Sequence, residues 1–152
     1  MKGQRPVAFW VIVVYLGLSV VVMLTGQTMA VVNYDLAVRL GLQESLEEVG
    51  EYGVEVGRAF GAGDTVIYVP LMLVSLVGLV ARRRWAVLTT TAVFGVSAYW
   101  AATILSMLVF LPGALGYNNL PGPEIWLFVG FYLLSGVVGL IYMVFRGEAL
   151  LS

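Results

Sequence analysis

The chain has no cysteine and no histidine, and its one lysine is Lys2. Without cysteine there is no disulfide, no CxxC redox pair, no thiolate nucleophile and no Fe–S cluster. Without histidine the commonest metal ligand, the usual haem ligand and the usual neutral-pH proton shuttle are missing. A lysine confined to the terminus excludes a Schiff base inside a helix bundle. Charge of either sign is scarce, at 11% of residues, against about 25% in a soluble domain. No basic patch of the kind nucleic acid requires is present. These absences leave no expected cofactor, metal site or catalytic residue.

What is present is apolar. The hydrophobic fraction is 61%, well above the roughly 45–50% of a soluble domain, and the 152 residues suffice for one domain. Four apolar runs are long enough to cross a bilayer, which takes about 20 helical residues. They cover 7–32, 65–81, 86–111 and 125–145. The expected fold is therefore all-α, an integral membrane four-helix bundle in a single domain. The first run follows Lys2 and Arg5 and ends near Thr28-Met29-Ala30, which imitates a signal peptide. Its apolar length exceeds the usual 7–15 residues of such a segment, so it reads as an anchor.

Between the first two runs the character changes. Asp35, Glu44, Glu47, Glu48, Glu51 and Glu55 face only Arg39 and Arg58. At the helical period Val38, Leu42, Leu46, Val49, Gly53, Val56 and Phe60 fall on one stripe, with the glutamates opposite. The segment 35–61 is expected to be an extracytoplasmic amphipathic helix. Gly53, Gly57 and Gly61 recur every four residues, a spacing that lets helices approach closely. A break is expected near Gly50 or Gly53.

Charge placement sets the expected orientation. Lys2, Arg5, Arg82, Arg83, Arg84 and Arg146 lie on one side of four spans, and Arg39 and Arg58 on the other. The positive-inside rule then makes both termini cytoplasmic in the cell membrane. Seven of the nine acids, Asp35 through Asp64, fall outside. The triplet Arg82, Arg83 and Arg84 sets this topology and is also a candidate site for anionic lipid headgroups.

No acid or base lies in the middle third of a span, where pumps and proton-coupled carriers usually need one. Polar residues gather instead near the outer ends: Gln27, Asn33, Asp35, Asp64, Tyr68, Tyr99 and Trp100. They form one candidate outward-facing pocket for a lipid or small ligand. A plainer account is available for the same residues. Asp64 would cap the second span, Gln27 and the threonines would bond backbone carbonyls, and the aromatics would sit at the headgroups. Catalysis by a pair such as Asp35 and Asp64 is a weaker alternative, because two acids without a third ligand or a base carry little signal. The hydroxyls of the third run suit a pore only in an oligomer, since four helices of this composition pack shut.

The pattern Gly63-Asp64, Tyr68, Pro70-Leu71, then Arg82–Arg84 and Trp85, resembles a group of uncharacterised small bacterial four-span membrane proteins. The resemblance covers the second span and the start of the third, and it implies no activity. The paired cysteines of quinone-linked four-helix redox proteins and the intramembrane glutamate of small multidrug exporters are both missing. The expected function is non-catalytic: binding a membrane lipid or a partner membrane protein, with no nucleic-acid partner. A homo-oligomer, a channel or transporter subunit, and a lipid-modifying enzyme are the alternatives.

Overall fold

The computed structural model describes residues 5–151; Lys2, one of the topology charges, lies outside them. Among the described residues every regular element is helical. We number the helices α1 (Val7–Val32), α2 (Tyr34–Arg39), α3 (Leu46–Val80), α4 (Trp85–Phe110) and α5 (Pro123–Arg146), the last followed by a 3-10 turn over Gly147–Leu151. Helices α1, α3, α4 and α5 are each long and apolar enough to cross a membrane. The fold is a four-helix bundle in which α1 packs on α3, α3 on α4, and α4 most extensively on α5.

Both described ends meet the same end of the bundle. The Arg5 guanidinium donates to the Val80 carbonyl at 3.0 Å and lies over the Phe9 ring, 4.1 Å from its centroid. Gly147 sits against Val87. The α3–α4 turn with its three arginines is therefore at this end, with Trp10 and Trp85 half-exposed near it. That turn is a complete Schellman motif: Arg83 N–H donates to Gly78 O and Arg82 N–H to Leu79 O. Arg82 holds the left-handed position, φ 52°, that glycine fills at least cost. A non-glycine residue there costs about 1–2 kcal/mol.

Close helix contacts fall where a side chain has been removed. A Cβ on Gly136 of α5 would lie 2.7 Å from Ala98 N of α4, and one on Gly139 would enter the Phe94 ring. Of the small residues on α4, Ala98 and the fully buried Ala101 face the bundle. Gly95 meets nothing nearby.

The second span departs from expectation. It does not begin at residue 65. Helix α3 runs unbroken in outline for 35 residues, about 52 Å at the helical rise, so its outer half projects beyond a hydrocarbon layer about 30 Å thick. The outer amphipathic segment is thus the extension of a span and not one separate helix over 35–61. Helix α2 stops at Arg39, and a turn through Gly41 (φ 68°) separates it from α3. The stripe from Val38 to Phe60 is split by that turn. Within α3 the division of faces holds, with Val49, Gly53, Val56 and Phe60 half-buried and Glu47, Glu48, Glu51 and Glu55 exposed.

Asn33 begins α2 as its cap, accepting from Leu36 N–H at 3.0 Å. Ser45 and Glu48 form a capping box at the start of α3. Gly50, at φ 68° and ψ 171°, then kinks the helix. The kink frees carbonyls that the α4–α5 connection takes up. Asn118 N–H donates to Glu48 O at 2.6 Å, and Asn118 Nδ2 to Glu47 O at 3.2 Å.

Candidate functional site

Two π turns face each other toward the end of the bundle away from the arginines. One spans Leu24–Thr28 in α1 and the other Asp64–Tyr68 in α3. A π turn inserts one residue into the helical ladder and often marks a functional position. In α3 the cause is local: Pro70 cannot donate to the carbonyl four residues back, and the wider turn ends just before it. Thr28 and Thr65 join the two turns by an Oγ1–Oγ1 hydrogen bond of 2.9 Å. Gly61 allows the contact, because a Cβ there would lie 2.5 Å from the Gln27 carbonyl. In α1 the Gly26 carbonyl accepts from Gln43 Nε2 at 3.3 Å.

The π turn moves Asp64 away from the role of cap. It lies inside continuous helix, at φ −63° and ψ −42°, and its side chain is turned into the bundle with 8% exposure. The Trp100 indole, equally buried, faces its carboxylate. The contact is loose, since Asp64 Oδ2 and Trp100 Nε1 both lack a partner at full hydrogen-bonding geometry. Thr90 Oγ1 is also buried and unpaired.

Below Asp64 lies a layer of hydroxyls drawn from all four spans. Tyr68 bonds Ser97 Oγ and approaches Tyr132 OH at 3.3 Å. Tyr15 OH donates to Ser97 Oγ at 3.1 Å, and Ser97 donates to Val93 O at 2.9 Å. Ser19 completes the group against Tyr15 and Tyr132. The rings pack as well: Tyr15 stacks on Phe94 at 5.2 Å, and Trp100 meets Tyr132 edge-on at 5.5 Å. At about 1.5 Å per residue, Ser19, Tyr68, Ser97 and Tyr132 all lie roughly 18–21 Å from the arginine end. The layer is level because each span was cut to the same depth.

Of the seven pocket candidates, three converge: Asp64, Tyr68 and Trp100. The others do not. Tyr99 is 71% exposed and points away from the bundle. Asn33 caps α2. Gln27 contributes its carbonyl to the Gly61 contact. Asp35 is exposed and lines a different cleft. Arg82, Arg83 and Arg84 are exposed at the opposite end. The anticipated outward-facing pocket is therefore replaced by a packed polar layer. Tyr15, Ser19, Ser97 and Tyr132 were not among the sequence candidates. Counting depth from the charged end of each span would have grouped Ser19, Ser97 and Tyr132 with Tyr68; Tyr15, about 12 Å deep on that count, reaches the layer through its side chain.

The second feature is on the headpiece, at the end away from the arginines. A cleft of about 510 Å³ between α2 and the outer half of α3 is lined by Tyr34, Asp35, Val38, Arg39, Leu46, Val54 and Arg58. Tyr34 OH donates to Glu44 O at 2.9 Å and ties the connecting turn to α2. Burial, then Glu44 and Glu48 nearby, push its phenol up to about 12. Arg58 pairs with Glu55 at 3.0 Å. Among the described residues no group of three or more acids is placed to hold a metal ion. The chain matches no protein-family model, no curated protein and no solved structure, so its function has to be read from this geometry.

Proposed function

We propose that this chain is a non-catalytic, multi-pass protein of the cell membrane that binds a lipid or a partner membrane protein. The observation that carries the reading is where polar and apolar groups are spent. Inside the bundle the hydroxyls of Tyr15, Tyr68, Ser97 and Tyr132 satisfy one another, and the Asp64 carboxylate is enclosed. A substrate has no free surface there. On the headpiece, large apolar side chains stay uncovered: Leu46, Leu115, Leu120 and the 84%-exposed Tyr52. Exposed apolar groups beyond the hydrocarbon layer are what a lipid or protein partner would cover.

The cytoplasmic placement of both termini rests on charge. Lys2, Arg5, Arg82, Arg83, Arg84 and Arg146 stand against Arg39 and Arg58. The arginine triplet at that surface is suited to anionic headgroups. A second reading, a channel or transporter subunit, draws on the paired π turns beside the buried Asp64. Gentle purification from native membranes, with mass spectrometry of what accompanies the chain, tests the first reading. Lipid or a membrane protein at fixed stoichiometry is expected. Recovery of the bare chain contradicts it.

A further inference from the structure

The outer face carries only two basic residues, Arg39 and Arg58, among an excess of acids. Both line the same cleft. Arg39 comes from α2 and Arg58 from the outer half of α3, so the fold and not the sequence brings them together. The floor between them is apolar, made by Val38, Leu46 and Val54. Two carboxylates stand near. Asp35 lines the cleft, and Glu55 occupies one nitrogen of Arg58. Arg39 pairs with no acid among the described residues; its Nε donates to the Asp35 carbonyl at 3.3 Å. That leaves its terminal nitrogens free. Val32, the last residue of α1, is exposed two residues before Tyr34 of the cleft lining.

We propose that this cleft binds the head of an anionic phospholipid from the outer leaflet, a site that rests on the lipid-binding reading above. Arg39 and Arg58 take the phosphate, by the charge-assisted bonds guanidinium forms with phosphate oxygens. Val38, Leu46 and Val54 form the apolar wall beside the phosphate, Val54 lying about one turn and Leu46 about three turns farther from the arginine end than Arg58. The surrounding glutamates repel free anions in solution. A lipid held at the membrane edge by its chains meets the same repulsion but at a high effective concentration that offsets it, which favours lipid over soluble phosphate.

The test is native mass spectrometry of the full chain released from nanodiscs of equal phosphatidylglycerol and phosphatidylcholine. The natural chain is expected to retain phosphatidylglycerol preferentially. Arg39→Gln with Arg58→Gln lowers that retention about ten-fold or more, the loss of two charge-assisted contacts. Arg83→Gln with Arg84→Gln, at the other candidate headgroup site, lowers it less than the cleft pair does. Val54→Trp fills the cleft while keeping both charges, and is expected to act like the double arginine variant. It decides the matter if the double variant fails to fold. Equal retention in the cleft variants, or loss only on changing Arg83 and Arg84, overturns the proposal while leaving lipid binding intact. A natural chain that carries neither lipid nor partner protein, here and from native membranes, removes the broader reading as well.

Discussion

The middle of the bundle and the headpiece above it are built from the same helices but on opposite terms. In the middle, Tyr68, Ser97 and Tyr132 are buried and bonded to each other across three spans. Position there is fixed from every side. On the headpiece the carboxylates of α3 face water, tyrosine and leucine side chains stand uncovered, and the chain turns on Gly41 and Gly50. Contacts there are few and mostly to backbone, as in Asn118 to Glu47 and Tyr34 to Glu44. The difference teaches where each task sits. A bundle in lipid gains nothing from burying apolar groups against one another, so it is specified by close packing and shared hydrogen bonds. Its interior is used up by that. Under the proposed function, recognition falls to the headpiece.

The largest effect should come from breaking the middle. Tyr68→Ala removes a fully buried aromatic ring and two hydroxyl contacts. A loss of about 3–5 kcal/mol is expected in detergent unfolding. Tyr68→Phe keeps the ring and should lose only about 0.6–1.5 kcal/mol. If the two variants fell equally, the hydroxyl and not the packing would dominate. Gly136→Val comes next. Its side chain meets the Ala98 backbone, so α4 and α5 must part, at about 1–3 kcal/mol, read as a lower thermal midpoint.

On the headpiece the same kinds of change should stay local. Asn118→Ala removes the side-chain hydrogen bond to the Glu47 carbonyl and should raise hydrogen exchange around Gly50 by a factor equivalent to about 1 kcal/mol, with the thermal midpoint of the bundle unmoved. Arg82→Gly, at the arginine end, relieves a left-handed residue. It should gain up to about 1 kcal/mol, offset in part by the freer unfolded chain. The smallest effect is that of pH on Tyr34. Its phenol is raised from 10.0 to about 12, so its contribution is complete below pH 10.0 and is lost as pH rises through about 12. The tyrosinate absorbance lost in Tyr34→Phe should appear over that interval.

Much of the frame was legible because membranes impose simple rules. Span length and the Arg82–Arg84 triplet gave four helices and a shared end for both described termini. A break near Gly50 or Gly53 was legible because glycine takes such backbone at no steric cost, and it falls at Gly50. The role of Asp64 was not legible. An acid after glycines and before an apolar run reads as a cap, whereas here helix continues through it. Only the pairing of two π turns across helices, which depends on how α1 meets α3 at Gly61, turns its side chain inward. Tyr99 and Trp100 differ by one residue and about 100° on the helix. That angle, and not composition, separates an exposed ring from a buried one. The cleft was hidden for a different reason. Arg39 and Arg58 lie on separate helices joined by a turn that the continuous apolar stripe concealed.

The contrast between a closed middle and an open headpiece can be measured directly, because the chain has no cysteine of its own. Single substitutions Ser97→Cys and Glu51→Cys, probed in intact cells with a small membrane-impermeant thiol reagent, compare the two regions in one assay. The account predicts rapid labelling at Glu51→Cys and none at Ser97→Cys. Labelling of Ser97→Cys from outside would contradict it, since water would then reach the hydroxyl layer and the bundle would serve as a pathway.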